Sequence, residues 1–334
     1  MSVLSSALPG MSPEGEPVDE PRQIDELRST GDRVYTGVAT ASASISLVIV
    51  GMTFVFLLWQ SKGVFKVVSP WGFLTKTTWN AGNKLFGVGG IILGTFLIAI
   101  IGLVVAAPIA IAMALFINEY APRRMRAVLT SVIDLLAAIP SLIFGFWGFF
   151  ALMPRVTPLA RFLSEHLSAI PLFRVAGRNP NFQQSGFVAG LVVGIMIIPI
   201  ITSVSRDVMS QVPRELCEGA LALGSTRWGM IREVVLPFGR SGIVGASLLG
   251  LGRALGETIA VALIISFKDH TNWHVLENGA GAVAALIVSR FGEASGPERS
   301  GLIAAGLALF AVTFAVNYVS RRVVARSAKD WAVR

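Results

Sequence analysis

Charged residues vanish from six long stretches of this chain. Val34–Gln60, Leu85–Asn118, Gly186–Val204 and Ser300–Ser320 carry no Lys, Arg, Asp or Glu, and Ala127–Pro154 carries only Asp134. Ser241–Phe267 carries Arg253 and Glu257 alone. A bilayer-spanning helix needs roughly 20 predominantly apolar residues. Leu-, Ile-, Val-, Ala- and Gly-rich runs of this length lack the period-two alternation of barrel strands. The pattern predicts an all-α polytopic membrane protein with six transmembrane helices near 34–60, 85–118, 127–153, 186–204, 241–267 and 300–320.

Composition agrees with that reading. Of 334 residues, 53% are hydrophobic and 14% charged, at a mean hydropathy of +0.68. Soluble domains carry about 25% charged residues, and disordered chains need low hydrophobicity, so both classes are excluded. A single cysteine, Cys217, excludes disulfide frameworks and Cys-rich zinc sites. The net charge of +8 is read through topology before nucleic acid is considered. With the N-terminus inside, 16 Lys and Arg fall on the cytoplasmic side and 11 outside, leaving Arg253 in the membrane. Both termini are therefore expected to be cytoplasmic, and no basic patch with interleaved aromatics favours nucleic acid.

Residues 1–33 alternate Pro9, Pro13, Pro17 and Pro21 with acidic residues and are expected to form a disordered cytoplasmic tail. A signal peptide's basic start and short apolar core are missing, so the first helix is expected to stay as an uncleaved anchor. Residues 321–334 are expected to form a basic cytoplasmic tail.

The cytoplasmic loop 206–240 holds the most specific pattern. Pro213 suits the first turn of a helix that ends at Gly224, and Ser225 or Thr226 can cap a second short helix stopping near Pro237. Gly219, Ala220, Ala222 and Gly224 leave room for a partner's backbone, while Trp228, Ile231, Val234 and Val235 are expected to anchor the loop. Glu218-Gly219-Ala220, three residues, Gly224, nine residues, Val234, one residue, then Leu236-Pro237 resembles the EAA loop of ABC importer permeases. Gly219 and Val234 depart from the usual Ala and Ile, conservatively in size. The resemblance implies that Glu218, Gly219, Ala220, Gly224, Leu236 and Pro237 belong to the element that couples to a separate ATPase subunit.

Arg253 lies twelve positions beyond Ser241, roughly 18 Å along a helix and so near mid-membrane. An ionised group there costs at least about 2.5 kcal/mol. Glu257, four residues on, is expected to pair with it on one face. Gly252 and Gly256 form a small-xxx-small packing step. An intramembrane guanidinium suits an oxyanion, so Arg253 and Glu257 are candidate substrate-pathway residues; a clasp against another subunit is the competing role. Gly252 to Val261 is similar to the R-A-L-G-E-T-M-A-V segment of PstC-type permeases of bacterial phosphate importers, as are Ala138–Gly145 and Ala285–Ala294.

That resemblance covers residues 34–320 and implies the type I (MetI-like) transmembrane fold in a bacterial plasma membrane. It also implies a PstA-like partner permease, two ATPase subunits that bind ATP-Mg, and an extracytoplasmic phosphate-binding protein docking on the outer loops Lys62–Lys84, Pro154–Ser185 and Lys268–Arg299. No lysine here follows glycine, so the chain has no P-loop and no ATPase site of its own. A sulfate or molybdate permease, the PstA-type partner, and a gradient-driven transporter or channel are the alternatives. A signalling role beside transport is compatible with the same family.

The remaining features carry weaker expectations. Asp134 reads as an anchor at the cytoplasmic end of the third helix. Asp269, His270 and His274 lack a fourth ligand, so no metal site is expected. Gly190 and Gly194 suggest helix packing, Pro108 and Pro140 suggest bends, and Cys217 suggests a small packing residue.

Overall fold

The computed structural model describes residues 29–175, 180–268 and 274–332. The chain divides into two compact units, residues 1–53 and 54–334. In the first unit the described structure is most of helix α1 (Thr30–Gln60), and its residues are exposed through Thr53. Ser29 and Asp32 start the helix with a reciprocal box: the Ser29 hydroxyl accepts the Asp32 N–H at 3.2 Å and the Asp32 carboxylate accepts the Ser29 N–H at 3.1 Å. Thr30–Arg33, expected to belong to the tail, is therefore helical; residues 1–28 lie outside the described residues. Thr40, Ser44, Ser46 and Thr53 donate to carbonyls four residues earlier, which satisfies their hydroxyls along an apolar helix.

The second unit adds α2 (Pro70–Thr75), a hairpin of β1 (Trp79–Asn80) and β2 (Leu85–Phe86), then α3 (Gly89–Leu115), α4 (Arg123–Ala138), α5 (Ser141–Trp147), α6 (Met153–His166) and α7 (Gly186–Met209). It continues with α8 (Arg214–Ala222), α9 (Arg227–Met230), α10 (Leu236–Leu255), α11 (Ile259–Ile264), α12 (Val283–Arg290) and α13 (Gly296–Ala332). Wide π-helical turns at Phe116–Tyr120, Gly148–Leu152 and Ile231–Val235 extend α3, bridge α5 to α6 and bridge α9 to α10. Among the described residues six helical stretches are long and apolar enough to cross a membrane: Thr30–Lys66, Gly89–Tyr120, Ser141–His166, Gly186–Met209, Arg227–Leu255 and Gly296–Arg322.

Helix α7 is the hub of the core. Val188, Ala189, Val192, Val193, Ile197 and Ile201 are buried against α3 and α10. Glycine permits the closest part of that crossing. A Cβ on Gly102 would stand 3.1 Å from both the Gly190 carbonyl oxygen and the Gly194 amide nitrogen, and one on Gly194 would stand 3.0 Å from the Gly102 carbonyl. The small-xxx-small pair at Gly190 and Gly194 thus packs helix to helix, as its spacing suggests.

Three boundaries differ from the sequence reading. The run 127–153 is two helices, because Ile139 before Pro140 is extended (ψ 128°), as steric conflict with the proline ring demands. Asp134 consequently lies exposed on α4, outside the third spanning stretch, which begins at Ser141. Pro108, by contrast, stays inside α3. The fifth run is interrupted between Leu255 and Ile259, and α13 continues through the expected basic tail to Ala332.

Candidate functional site

The loop between α7 and α10 folds by local rules. Pro213 caps α8, and the chain turns at Gly224, whose φ of +88° is costly for any residue with a side chain. The Ser225 N–H donates to the Ala220 carbonyl at 3.1 Å and the Gly224 N–H to the Leu221 carbonyl at 3.0 Å. These are the two bonds of a Schellman end. Thr226 then caps α9 by accepting the Gly229 N–H at 3.1 Å.

The second short helix does not stop at Pro237. The chain stays helical because the wide turn Ile231–Val235 removes the need for a regular bond at the proline, which sits in the first turn of α10. Leu236 and Pro237 are thereby the first two residues of α10, inside the spanning stretch Arg227–Leu255. Ile231 and Val235 are fully buried with Ala114, Met209, Met230 and Ile243, while Val234 is half-buried. Trp228, expected among the anchors, is 59% exposed and is not one of them.

Helix α8 packs Cys217 and Ala220 against the buried Ile231/Val235 cluster and leaves its other face open. Glu218, Gly219 and Gly224 are exposed, Ala220 is half-buried, and a Cβ on Gly219 would meet nothing within 4 Å. Leu223 is 92% exposed, a large apolar side chain left in the open by its own chain. The loop nevertheless grips its neighbours. The Arg227 guanidinium donates to the Glu119 carbonyl at 3.4 Å, and the Asn118 amide donates to the Arg206 carbonyl at 2.8 Å. The end of α3, the end of α7 and the start of α9 are therefore tied together. Asn118 and Glu119 were not singled out from sequence; two polar residues closing a charge-free run just before Pro122 were the available signal. Cys217 lines a cleft of about 370 Å³ at this junction. Its thiol is pushed above the usual cysteine range by burial, then by the carboxylates of Glu119 and Glu218.

Arg253 and Glu257 sit at a helix break. Helix α10 ends at Leu255, so the two residues do not share a helical face and the expected i to i+4 pairing is not formed; among the described residues no ion pair joins them. Instead the Glu257 carboxylate turns toward the start of α11, where a long 3.4 Å contact reaches the Ala260 N–H. The Arg253 side chain is exposed on the surface of this chain. Gly252 packs inside the chain, its would-be Cβ 3.3 Å from the Asn317 side chain on α13, whereas a Cβ on Gly256 would touch only its own helix end. Two distant glycines seat α11: a Cβ on Gly145 would stand 2.9 Å from the Ala260 Cα, and one on Gly148 would stand 3.1 Å from the Ile264 side chain. Asp269 and His270 lie outside the described residues, and no group of three potential metal ligands occurs among the described ones.

Residues 106–329 match the family described as binding-protein-dependent transport system inner membrane component. The phosphate transport system permease protein PstC 2 of Mycobacterium tuberculosis is 39% identical over 315 residues, covering 92% of this chain and 97% of that one. PstC of Xylella fastidiosa is 37% identical over 306 residues, covering 91% and 93%. PstC of Mycobacterium leprae is 44% identical over 243 residues, covering 72% and 76%. A chain of a bacterial alginate ABC transporter, solved in complex with an alginate pentasaccharide-bound periplasmic protein, superposes with a TM-score of 0.56 at 16% identity, covering 90% of this chain and 99% of that chain. At that identity the likeness concerns the fold, that of an ABC importer transmembrane domain. A multi-pass membrane protein with this fold and these relatives is a permease subunit, and the chain belongs to the binding-protein-dependent transport system inner membrane components, among the PstC-type permeases.

Proposed function

We propose that this chain forms half of the translocation pathway of an ATP-driven phosphate importer. Its partners in this reading are a PstA-like permease, two ATPase subunits that hold ATP-Mg, and an extracytoplasmic phosphate-binding protein. Both termini are cytoplasmic, which puts α8 on the ATPase side and the Trp79–Phe86 hairpin on the binding-protein side. The substrate is assigned by likeness to phosphate permeases. The observation that carries the coupling role is the open face of α8, where Glu218, Gly219 and, beside the Gly224 turn, Leu223 are exposed.

The mechanism follows from what α8 is tied to. Closure of the ATPase dimer moves α8. The Arg227–Glu119 and Asn118–Arg206 contacts and the buried Ile231/Val235 anchor carry that movement into α3, α7 and α10. Arg253 lies in the last turn of α10, so the far end of that helix shifts the exposed guanidinium against the partner permease or the pathway. A lone Arg facing hydrocarbon is expensive, so water, anion or a partner must cover it. In the pathway role Arg253 contacts phosphate and Glu257 limits how tightly it is held. In the clasp role both join the two permeases.

Phosphate uptake by cells lacking the gene, complemented with wild type, Gly224→Asp or Arg253→Ala, tests the proposal with sulfate uptake as control. Phosphate-specific rescue by wild type and its loss with Gly224→Asp are expected. Rescue of sulfate uptake, or rescue indifferent to Gly224→Asp, overturns it.

A further inference from the structure

A second group of anion-seeking donors lies apart from Arg253, between the Trp79–Phe86 hairpin and the chain that leads into α12. Trp79 is 3% exposed, held edge-on between Phe73 and Phe86. Its indole Nε1–H is buried with no hydrogen-bond partner. It lines a small pocket whose other walls include Gly279, Ala280 and Gly281, all buried. Gly279 has a φ of +96°, the left-handed region that lets successive amides converge. Native proteins pair nearly all buried N–H groups, so an indole N–H left without a partner among the described residues on a small pocket calls for an acceptor.

The charges point the same way. Lys268 and Arg290 line the pocket beside the apolar walls Ile91, Phe267 and Leu286, and among the described residues no carboxylate lines it. Lys268 donates to the Asn278 side chain at 2.7 Å and is otherwise exposed; Arg290 is half-buried with no ion-pair partner among the described residues. The indole N–H is thus the buried donor, and the two cations are the more accessible walls. The enclosed space is about 10 Å³, room for one water-sized group. One oxygen of a tetrahedral oxyanion is of that size, and the remaining oxygens would lie at the mouth, where Lys268 and Arg290 can take them by charge-assisted hydrogen bonds.

We propose that this pocket, built from Trp79, Gly279–Gly281, Lys268 and Arg290, is an outer docking point that takes inorganic phosphate before it reaches the helix break at Arg253. The assignment of phosphate rests on the importer reading; the anion preference rests on the donors. The route is short in chain terms, since Gly281 leads into α12, and the Val283 N–H is fixed to the Thr95 hydroxyl of α3 at 3.0 Å. A phosphate seated on Gly279–Gly281 would therefore touch the backbone adjoining an element locked to α3.

The test uses the assembled importer in proteoliposomes, with Cys217→Ala leaving no native thiol in this chain and Ser289→Cys, exposed beside Arg290 and outside the pocket lining, as the probe. Free phosphate at millimolar concentration is expected to slow labelling by an anionic thiol reagent several-fold, with chloride at equal ionic strength having no effect. Adding Arg290→Gln abolishes the slowing and Arg290→Lys restores it, which a structural role for Arg290 would not produce. Trp79→Phe, which keeps the ring and loses the N–H, is expected to lower the maximal phosphate uptake rate about tenfold, equivalent to about 1.4 kcal/mol. Labelling indifferent to phosphate, slowed equally by chloride, or responsive only to anionic lipid content overturns the site. If wild type moves no phosphate while free phosphate still slows labelling, the importer reading fails and the anion site stands.

Discussion

The corner at Leu223–Thr226 and the break at Gly256–Thr258 both interrupt helices that continue a few residues later, yet they are held by different forces. The corner is closed from within: a positive φ at Gly224, two Schellman bonds and a Thr226 cap all lie within ten residues of sequence. The break is closed from outside. Gly256 has an ordinary φ of −90°, and what seats α11 is Gly145 and Gly148, more than a hundred residues away. The first arrangement gives a stiff, exposed lever that keeps its shape whatever docks on it. The second gives an ionisable segment whose position depends on how α5 and α10 are placed, as a moving part of a pathway requires.

The largest effect is expected where the corner's shape is lost. Gly224→Val places a β-branched residue at positive φ, at a cost of about 1–2 kcal/mol, and redirects α8. Phosphate uptake should fall to background and the ATPase should no longer copurify with the permease. Gly219→Leu is the control that separates shape from contact: a Cβ there meets nothing within 4 Å, so the permease should reach the membrane at normal levels and lose ATPase affinity alone. Equal loss of folded permease in both variants would show that α8 is part of the core and no lever.

Arg253→Ala addresses the break. In the pathway role, uptake falls at least about tenfold, the loss of roughly 1.4 kcal/mol or more, while the complex assembles normally. In the clasp role, assembly with the partner permease falls first and uptake follows. Copurification of the partner permease and uptake, measured on the same membranes, decide between the two.

Gly145→Val tests whether packing alone seats α11. A Cβ there would stand 2.9 Å from the Ala260 Cα, so the two helices must separate, at a typical overpacking cost of about 1–3 kcal/mol. Uptake should fall partially, while ATPase copurification, which depends on the corner, stays at the wild-type level. A matching loss of copurification would mean that the two interruptions are not mechanically separate.

The same contrast explains what could be read from sequence. The six apolar runs and the corner residues Pro213, Gly224 and Thr226 were legible because hydropathy, φ restrictions and caps act over a few neighbours. Pro140 was legible only as a bend, since whether a proline kinks or ends a helix depends on how the flanking pieces pack; Pro108 is kept inside its helix and Pro140 is not. The break after Leu255 carried no local signal, because Gly256 is in a common conformation and the residues that seat α11 come from another helix. Trp228 was misplaced for a related reason: period-3.6 spacing identifies an apolar face but not whether this chain or a partner covers it.

The smallest effect concerns Cys217, which reports on the junction between corner and bundle. Burial and the carboxylates of Glu119 and Glu218 all disfavour its thiolate, so the folded thiol titrates above an unfolded one. A pKa raised in this way leaves the protonated form dominant through neutral pH, and alkylation, which needs the thiolate, should be slow there and rise only in alkaline solution. Glu119→Gln with Glu218→Gln removes two of the three causes and should shift the rate profile toward lower pH, leaving the larger burial contribution in place. Gly224→Val, by freeing α8 from its neighbours, should remove burial as well and give the faster reaction. If alkylation at neutral pH is as fast in wild type as in Gly224→Val, the junction is already open, and the corner cannot pass movement to α3 through Glu119.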